Sequence, residues 1–117
     1  MTKNSNDLNK IIEDLKSRNF NEALKKLKKV IITDSNKNLI LKLFASIYFQ
    51  KKEWQSSIKY YKKMLSFENE KFKIYNSIGV ALFNLGKINE SIVAYKKAIK
   101  ENSNFDLAYN NLGISYS

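Results

Sequence analysis

Apolar and small residues return along the chain at spacings of three and four, which places each set on one face of a helix. Tyr75, Ile78, Gly79 and Leu82 form one such set, and Ile88, Ser91, Ile92, Tyr95, Ala98 and Ile99 form the next. Between them runs the polar turn Asn84-Leu85-Gly86-Lys87, where Gly86 can take the left-handed conformation that ends a helix. The pattern predicts a helical hairpin over residues 75–99. Gly79, without a side chain, lets its two backbones approach closely.

The hairpin recurs at a period of 34 residues. The second-helix set is preceded by Trp54, Ser57, Ile58, Tyr61, Met64 and Leu65, and before that by Phe20, Ala23, Leu24, Leu27, Val30 and Ile31. The first-helix set repeats as Leu41, Phe44, Ala45 and Tyr48, and again as Tyr109, Leu112, Gly113 and Tyr116. A helical hairpin at this period, with a W-x₂-L-G-x₂-Y-like first helix, resembles the tetratricopeptide repeat (TPR) family. The resemblance covers nearly the whole chain. It departs from the family in having no proline near the end of each unit, and in having glycine at only two of four small-residue sites. It implies an all-α fold: a TPR solenoid of three hairpins plus one further helix, seven in all, wound as a right-handed superhelix. The repeats are expected at about 5–34, 37–67 and 70–101, with a half repeat at 104–117.

The first unit fits less regularly. Its first helix is expected to be capped by Ser5 or Asn6, after a frayed tail at residues 1–4. Its face is Leu8, Ile11, Ile12 and Leu15, and Leu8 lies 33 residues before Leu41. This reads as one residue deleted from the turn. Ile12 then falls at the small-residue site, predicting a wider first hairpin. The second helix is expected from Phe20 to Ile32, ended by the polar turn Thr33-Asp34-Ser35-Asn36.

Composition excludes more than it assigns. A chain of 117 residues is one domain. It has no Cys and no His, which removes disulfides, thiol chemistry and the usual zinc ligands. The polar N-terminus has no signal-peptide core and no apolar run is long enough for a membrane span, so a cytoplasmic location is expected. The net charge is +10, and Arg18 is the one arginine among 21 basic residues. With 15 Asn and many Ile, this lysine excess also suits an AT-rich genome.

No catalytic constellation stands out. The eleven carboxylates are scattered beside lysines, Ser56-Ser57 lacks a base, and the glycines are explained by packing and capping. No enzyme activity, metal or cofactor is expected. Trp54, Tyr61 and Tyr95 fall on packing positions and read as core.

In TPR proteins the first helices line a concave groove that holds an extended peptide. The resemblance places groove residues at Asn9, Glu13 and Lys16, then Leu39, Lys42, Ser46, Phe49 and Gln50. They continue with Lys73, Asn76, Val80, Phe83 and Asn84, then Asn110. Phe49 and Phe83, one period apart, are the expected anchors. Some TPR domains hold acidic chaperone tails in a carboxylate clamp of Lys, Asn and Arg. Counted from the first repeat the matching residues are Asn9, Glu13, Leu43, Lys73 and Ser77, of which Lys73 alone fits; counted from the second they are Lys42, Ser46, Ser77, Leu107 and Asn111, of which Lys42 alone fits, so that partner is not expected. The second helices carry Lys28, Lys29, Lys62, Lys63, Lys96 and Lys97, a ladder that reads as a solvated face or as a surface for an acidic protein or anionic membrane. Nucleic acid is the weakest fit, given one arginine. Finally, Tyr109, Leu112, Gly113 and Tyr116 give the last helix more apolar surface than one neighbour covers. That predicts an end-to-end contact, either with a second copy or with the remainder of a longer chain. A protein-binding scaffold is thus the leading expectation and a self-assembly module the alternative.

Overall fold

The computed structural model describes the backbone of residues 3–117 and the side chains of residues 8–117. Among these residues there are seven α-helices and no strand: α1 (Lys3–Lys16), α2 (Phe20–Leu27), α3 (Lys37–Gln50), α4 (Trp54–Met64), α5 (Lys71–Asn84), α6 (Ile88–Glu101) and α7 (Asp106–Tyr116). Each helix packs on its neighbours in sequence, so the chain builds outward as a stack. The molecule measures 50 × 25 × 20 Å with a radius of gyration of 15.5 Å, against about 13 Å for a compact domain of this length. Helix α1 begins at Lys3 and therefore runs through Ser5 and Asn6, so neither caps it. Of the tail expected at residues 1–4, residues 3 and 4 belong to α1, and residues 1–2 lie outside the described residues.

The three hairpin turns share one geometry. Arg18, Lys52 and Gly86 take φ of 59°, 61° and 81°, the left-handed region. In each, two backbone bonds close the end of the first helix. Arg18 N–H donates to Leu15 O (3.1 Å) and Asn19 N–H to Asp14 O (2.7 Å). Lys52 donates to Phe49 O (3.0 Å) and Glu53 to Tyr48 O (2.9 Å), while Gly86 donates to Phe83 O (3.0 Å) and Lys87 to Leu82 O (2.9 Å). This is the Schellman arrangement, which satisfies carbonyls that a helix end leaves open. The three left-handed residues stand 34 apart, so no residue is missing from the first turn. The residue at the small site is Ile11, fully buried, and not Ile12, which is 38 % exposed.

Helix α2 ends at Leu27 and not at Ile32. Lys29 and Val30 bond back only three residues, to Lys26 and Leu27, and the backbone then leaves the helix. The run Val30-Ile31-Ile32-Thr33 is entirely β-branched, which lowers helix propensity. Asn36 holds the connecting turn: its side chain accepts from Thr33 N–H (2.7 Å) and donates to Ile31 O (3.0 Å). Val30 stays buried, while Ile31, expected in the core, is 70 % exposed.

Two apolar clusters form the core. One joins Ile11, Leu24, Leu27, Ile40, Phe44 and Ile47, and the other Ile58, Met64, Ile74, Ile78 and Ala94. The expected close approach at Gly79 is occupied by a ring. A Cβ there would lie 2.5, 2.6 and 2.9 Å from ring carbons of Tyr95, whose side chain is 2 % exposed. At the matching position of α7, a Cβ on Gly113 would meet nothing within 4 Å.

Candidate functional site

Equal turns fix which residues of the first helices share a wall. Ile12, Ser46, Val80 and Ile114 stand one period apart, as do Leu39, Lys73 and Leu107. On α1 the wall positions are thus Leu8, Ile12 and Leu15; Asn9 and Glu13 fall one place off it. Ile12, Leu39, Leu107 and Ile114 are large apolar side chains left exposed. Apolar spacing alone puts Leu8, Ile12 and Leu15 among the packing residues and does not single out Leu107. Stepping back by one period from Gly79 to Ala45 and on to Ile11 is the signal that sets this register.

The other candidates divide. Lys42, Ser46, Gln50, Lys73, Asn84 and Asn110 are exposed, and Val80 and Phe83 are half-buried. Phe49 turns into its own hairpin: its ring meets Trp54 edge-on at 5.2 Å and Tyr61 at 6.0 Å between centroids. Asn76 is buried, its side-chain oxygen accepting a 2.9 Å bond from Asn111 Nδ2. It ties α5 to α7 and is not open to a ligand. Lys42 pairs with Glu68 and Lys73 with Glu70, both at 3.2 Å, so these two lysines already face a carboxylate, while Lys16, one period before Gln50, is exposed. Asn84 donates back to Val80 O at 2.8 Å.

The ladder lysines are exposed, though Lys28 and Lys29 lie past the end of α2. Several lie over rings: Lys63 over Tyr60 (5.4 Å), Lys96 over Tyr116 and Lys97 over Tyr75 (both 5.8 Å). Tyr60 is itself stacked on Phe44, with centroids 4.8 Å apart. At the open end, Tyr109 and Tyr116 are exposed and Leu112 half-buried, while Ser115 is buried within 3.3 Å of Ser91. Burial pushes the Tyr95 hydroxyl up to about 12 and also raises that of Tyr61. No group of His, Cys, Asp or Glu that could hold a metal occurs among the described residues. No helix among them is long and apolar enough to cross a membrane.

Three hairpins with one turn geometry, stacked at a fixed period, can be set against solved structures. A crystal structure of MamA superposes with a TM-score of 0.80 at 22 % identity, over 97 % of this chain and 67 % of that one. The first TPR of Spaghetti (RPAP3), solved bound to the HSP90 peptide SRMEEVD, superposes at 0.78 with 22 % identity, over 97 % of this chain and 90 % of that one. The TPR2B domain of yeast Sti1, in complex with pHsp70, gives 0.62 at 29 % identity, over 68 % and 63 %. Residues 81–117 match the family model described as TPR repeat. The chain has the tetratricopeptide-repeat fold. The TPR match spans the end of α5, all of α6 and α7, so it joins a second helix to the first helix after it. The chain spans 61–67 % of the length of the first three MamA chains compared. A comparison with curated protein sequences finds no match.

Proposed function

We propose that this chain is a non-catalytic scaffold that holds a protein or peptide segment along the wall made by α1, α3, α5 and α7. The observation that carries this is the row of exposed apolar side chains there: Ile12, Leu39, Leu107 and Ile114, with Val80 half-buried between them. Exposed apolar surface gathered on one face is the usual mark of a binding site. That RPAP3 and Sti1 repeats of this fold were solved with chaperone partners supports a segment-binding reading. The chemistry differs, however. In the corrected register the clamp positions are Leu8, Ile12, Leu43, Lys73 and Ser77, four of them without charge, and Lys73 is paired with Glu70. The wall suits an apolar segment better than an acidic tail. Capture of a partner on immobilised chain tests this. Val80→Glu should abolish capture without loss of folding, and capture that survives the change would show that the segment does not lie on this wall.

A second reading, self-assembly through α7, rests on the difference between the two ends. On α1, Lys10, Glu13 and Asp14 stand one period before Phe44, Ile47 and Tyr48, so that end is polar. At the other end Tyr109 and Tyr116 are exposed and Gly113 faces open space. Pairing of two such ends would be isologous. Sedimentation at rising concentration should show a dimer that Tyr109→Glu breaks; a monomer throughout would exclude it.

A further inference from the structure

The ladder lysines do not stand on a level surface. Lys62 of α4 and Lys97 of α6 flank a cleft of about 490 Å³ whose lining includes Leu65, Tyr75, Ile78 and Val93. Helices α4 and α6 each pack on α5 and barely touch each other, which leaves the gap between them. Val93 is 53 % exposed at its edge, the one large apolar side chain so exposed on a second helix among the described residues. One repeat earlier a second cleft, about 610 Å³, is lined by Leu41 and Phe67 with Lys62 and Lys63. Leu41 stands one period before Tyr75, and Lys63 one period before Lys97. Two lining positions thus recur at the repeat period, and Lys62 borders both clefts.

The four ion pairs among the described residues involve none of Lys62, Lys63 and Lys97. The first cleft contains one carboxylate, Glu90. We infer that this face, opposite the first-helix wall, binds an acidic protein segment that inserts an apolar side chain between α4 and α6. Charge complementarity selects the acidic flanks: unpaired ammonium groups at the rim of an apolar slot gain most from carboxylates that approach with little water between. The slot selects a segment over a lipid surface. A flat bilayer would meet the exposed lysines at the rim, and the half-buried Tyr75 and Leu65 inside the cleft would stay unused. Nucleic acid is disfavoured because the rings that Lys63 and Lys97 lie over, Tyr60 and Tyr75, are half-buried and offer no free stacking face.

A random peptide library displayed on phage, panned against the whole chain, tests the inference. Enriched peptides should carry Asp or Glu beside a bulky apolar residue. Their affinity should fall about tenfold or more, the loss expected for a buried anchor, on Val93→Asp and on the pair Lys62→Glu and Lys97→Glu. It should weaken from low to physiological salt. Both sites are exposed, so the variants should melt like the parent. Val80→Glu, on the other wall, should leave this binding intact. Peptides without acidic bias, or peptides lost on Val80→Glu and kept on Val93→Asp, would overturn the inference while leaving the proposed function standing. So would binding to vesicles of phosphatidylcholine and phosphatidylserine that needs Lys62 and Lys97 but not Val93.

Discussion

Gly79 and Gly113 occupy the same repeat position, and the same substitution should move stability in opposite directions at the two. At Gly79 an alanine Cβ would fall 2.5–2.9 Å from three ring carbons of Tyr95, about 1 Å inside normal contact. The ring is 2 % exposed and enclosed by α5 and α6, so it cannot swing aside. Overpacking of this kind costs about 3 kcal/mol at its upper end. Alanine returns about 1 kcal/mol through better helix propensity, leaving a net loss of about 2 kcal/mol. For 117 residues an unfolding entropy of about 2.1 cal/mol/K per residue makes 1 kcal/mol worth about 4 °C, so Gly79→Ala should melt about 8 °C lower. At Gly113 nothing lies within 4 Å, and only the propensity gain remains, up to about 4 °C upward. Thermal unfolding followed by circular dichroism on dilute samples reads both. Tyr95→Leu should erase most of the Gly79→Ala penalty in a double-mutant cycle. Equal shifts at the two glycines, or a Gly79→Ala chain as stable as the parent, would refute the packing argument.

The turns and the buried ring give two more expected outcomes. Lys52 holds a left-handed φ of 61° where the third repeat uses Gly86, so Lys52→Gly should raise stability by about 0.5–1 kcal/mol in urea unfolding, and Gly86→Ala should lower it by a similar amount or more. Burial keeps Tyr95 protonated in the folded chain up to about 12, whereas an unfolded tyrosine loses its proton near 10. The folded state thus binds more protons between those values, so stability is full below about pH 10 and falls as pH rises further; Tyr95→Phe should flatten that fall.

Most of the fold can be read from apolar spacing, because every hairpin must bury the same face against the next. The turn Asn84-Leu85-Gly86-Lys87 separates α5 from α6, whereas α4 ends at Met64, one residue before Leu65 of the expected face. The first repeat misleads because Ile11 and Ile12 are adjacent and equally apolar, so the face can slide by one position without losing its pattern. Glycine would have marked the turn, but Arg18 and Lys52 occupy the left-handed site in the first two repeats, and nothing in their chemistry announces that. Helix α2 ends early through the sum of four β-branched residues and two Asn36 side-chain bonds that lie within five residues of it. The candidate site is legible in position but not in exposure. Phe49 and Phe83 share a register, yet Trp54 and Tyr61 give Phe49 rings to pack on, where Ile88 stands one period after Trp54. The burial of Asn76 comes from Asn111, 35 residues later, a pairing no local pattern carries.

Binding of a protein segment to the first-helix wall is tested most directly by Phe83→Ala. Calorimetric titration of the captured partner onto parent and variant, each corrected for its folded fraction, should show affinity lower by about 1–3 kcal/mol, the range for an anchor side chain. The melting temperature should change less than in Phe49→Ala, whose ring packs on Trp54 and Tyr61. Unchanged affinity per folded molecule, together with a collapse in stability, would show that Phe83 is core and that the segment does not lie on this wall.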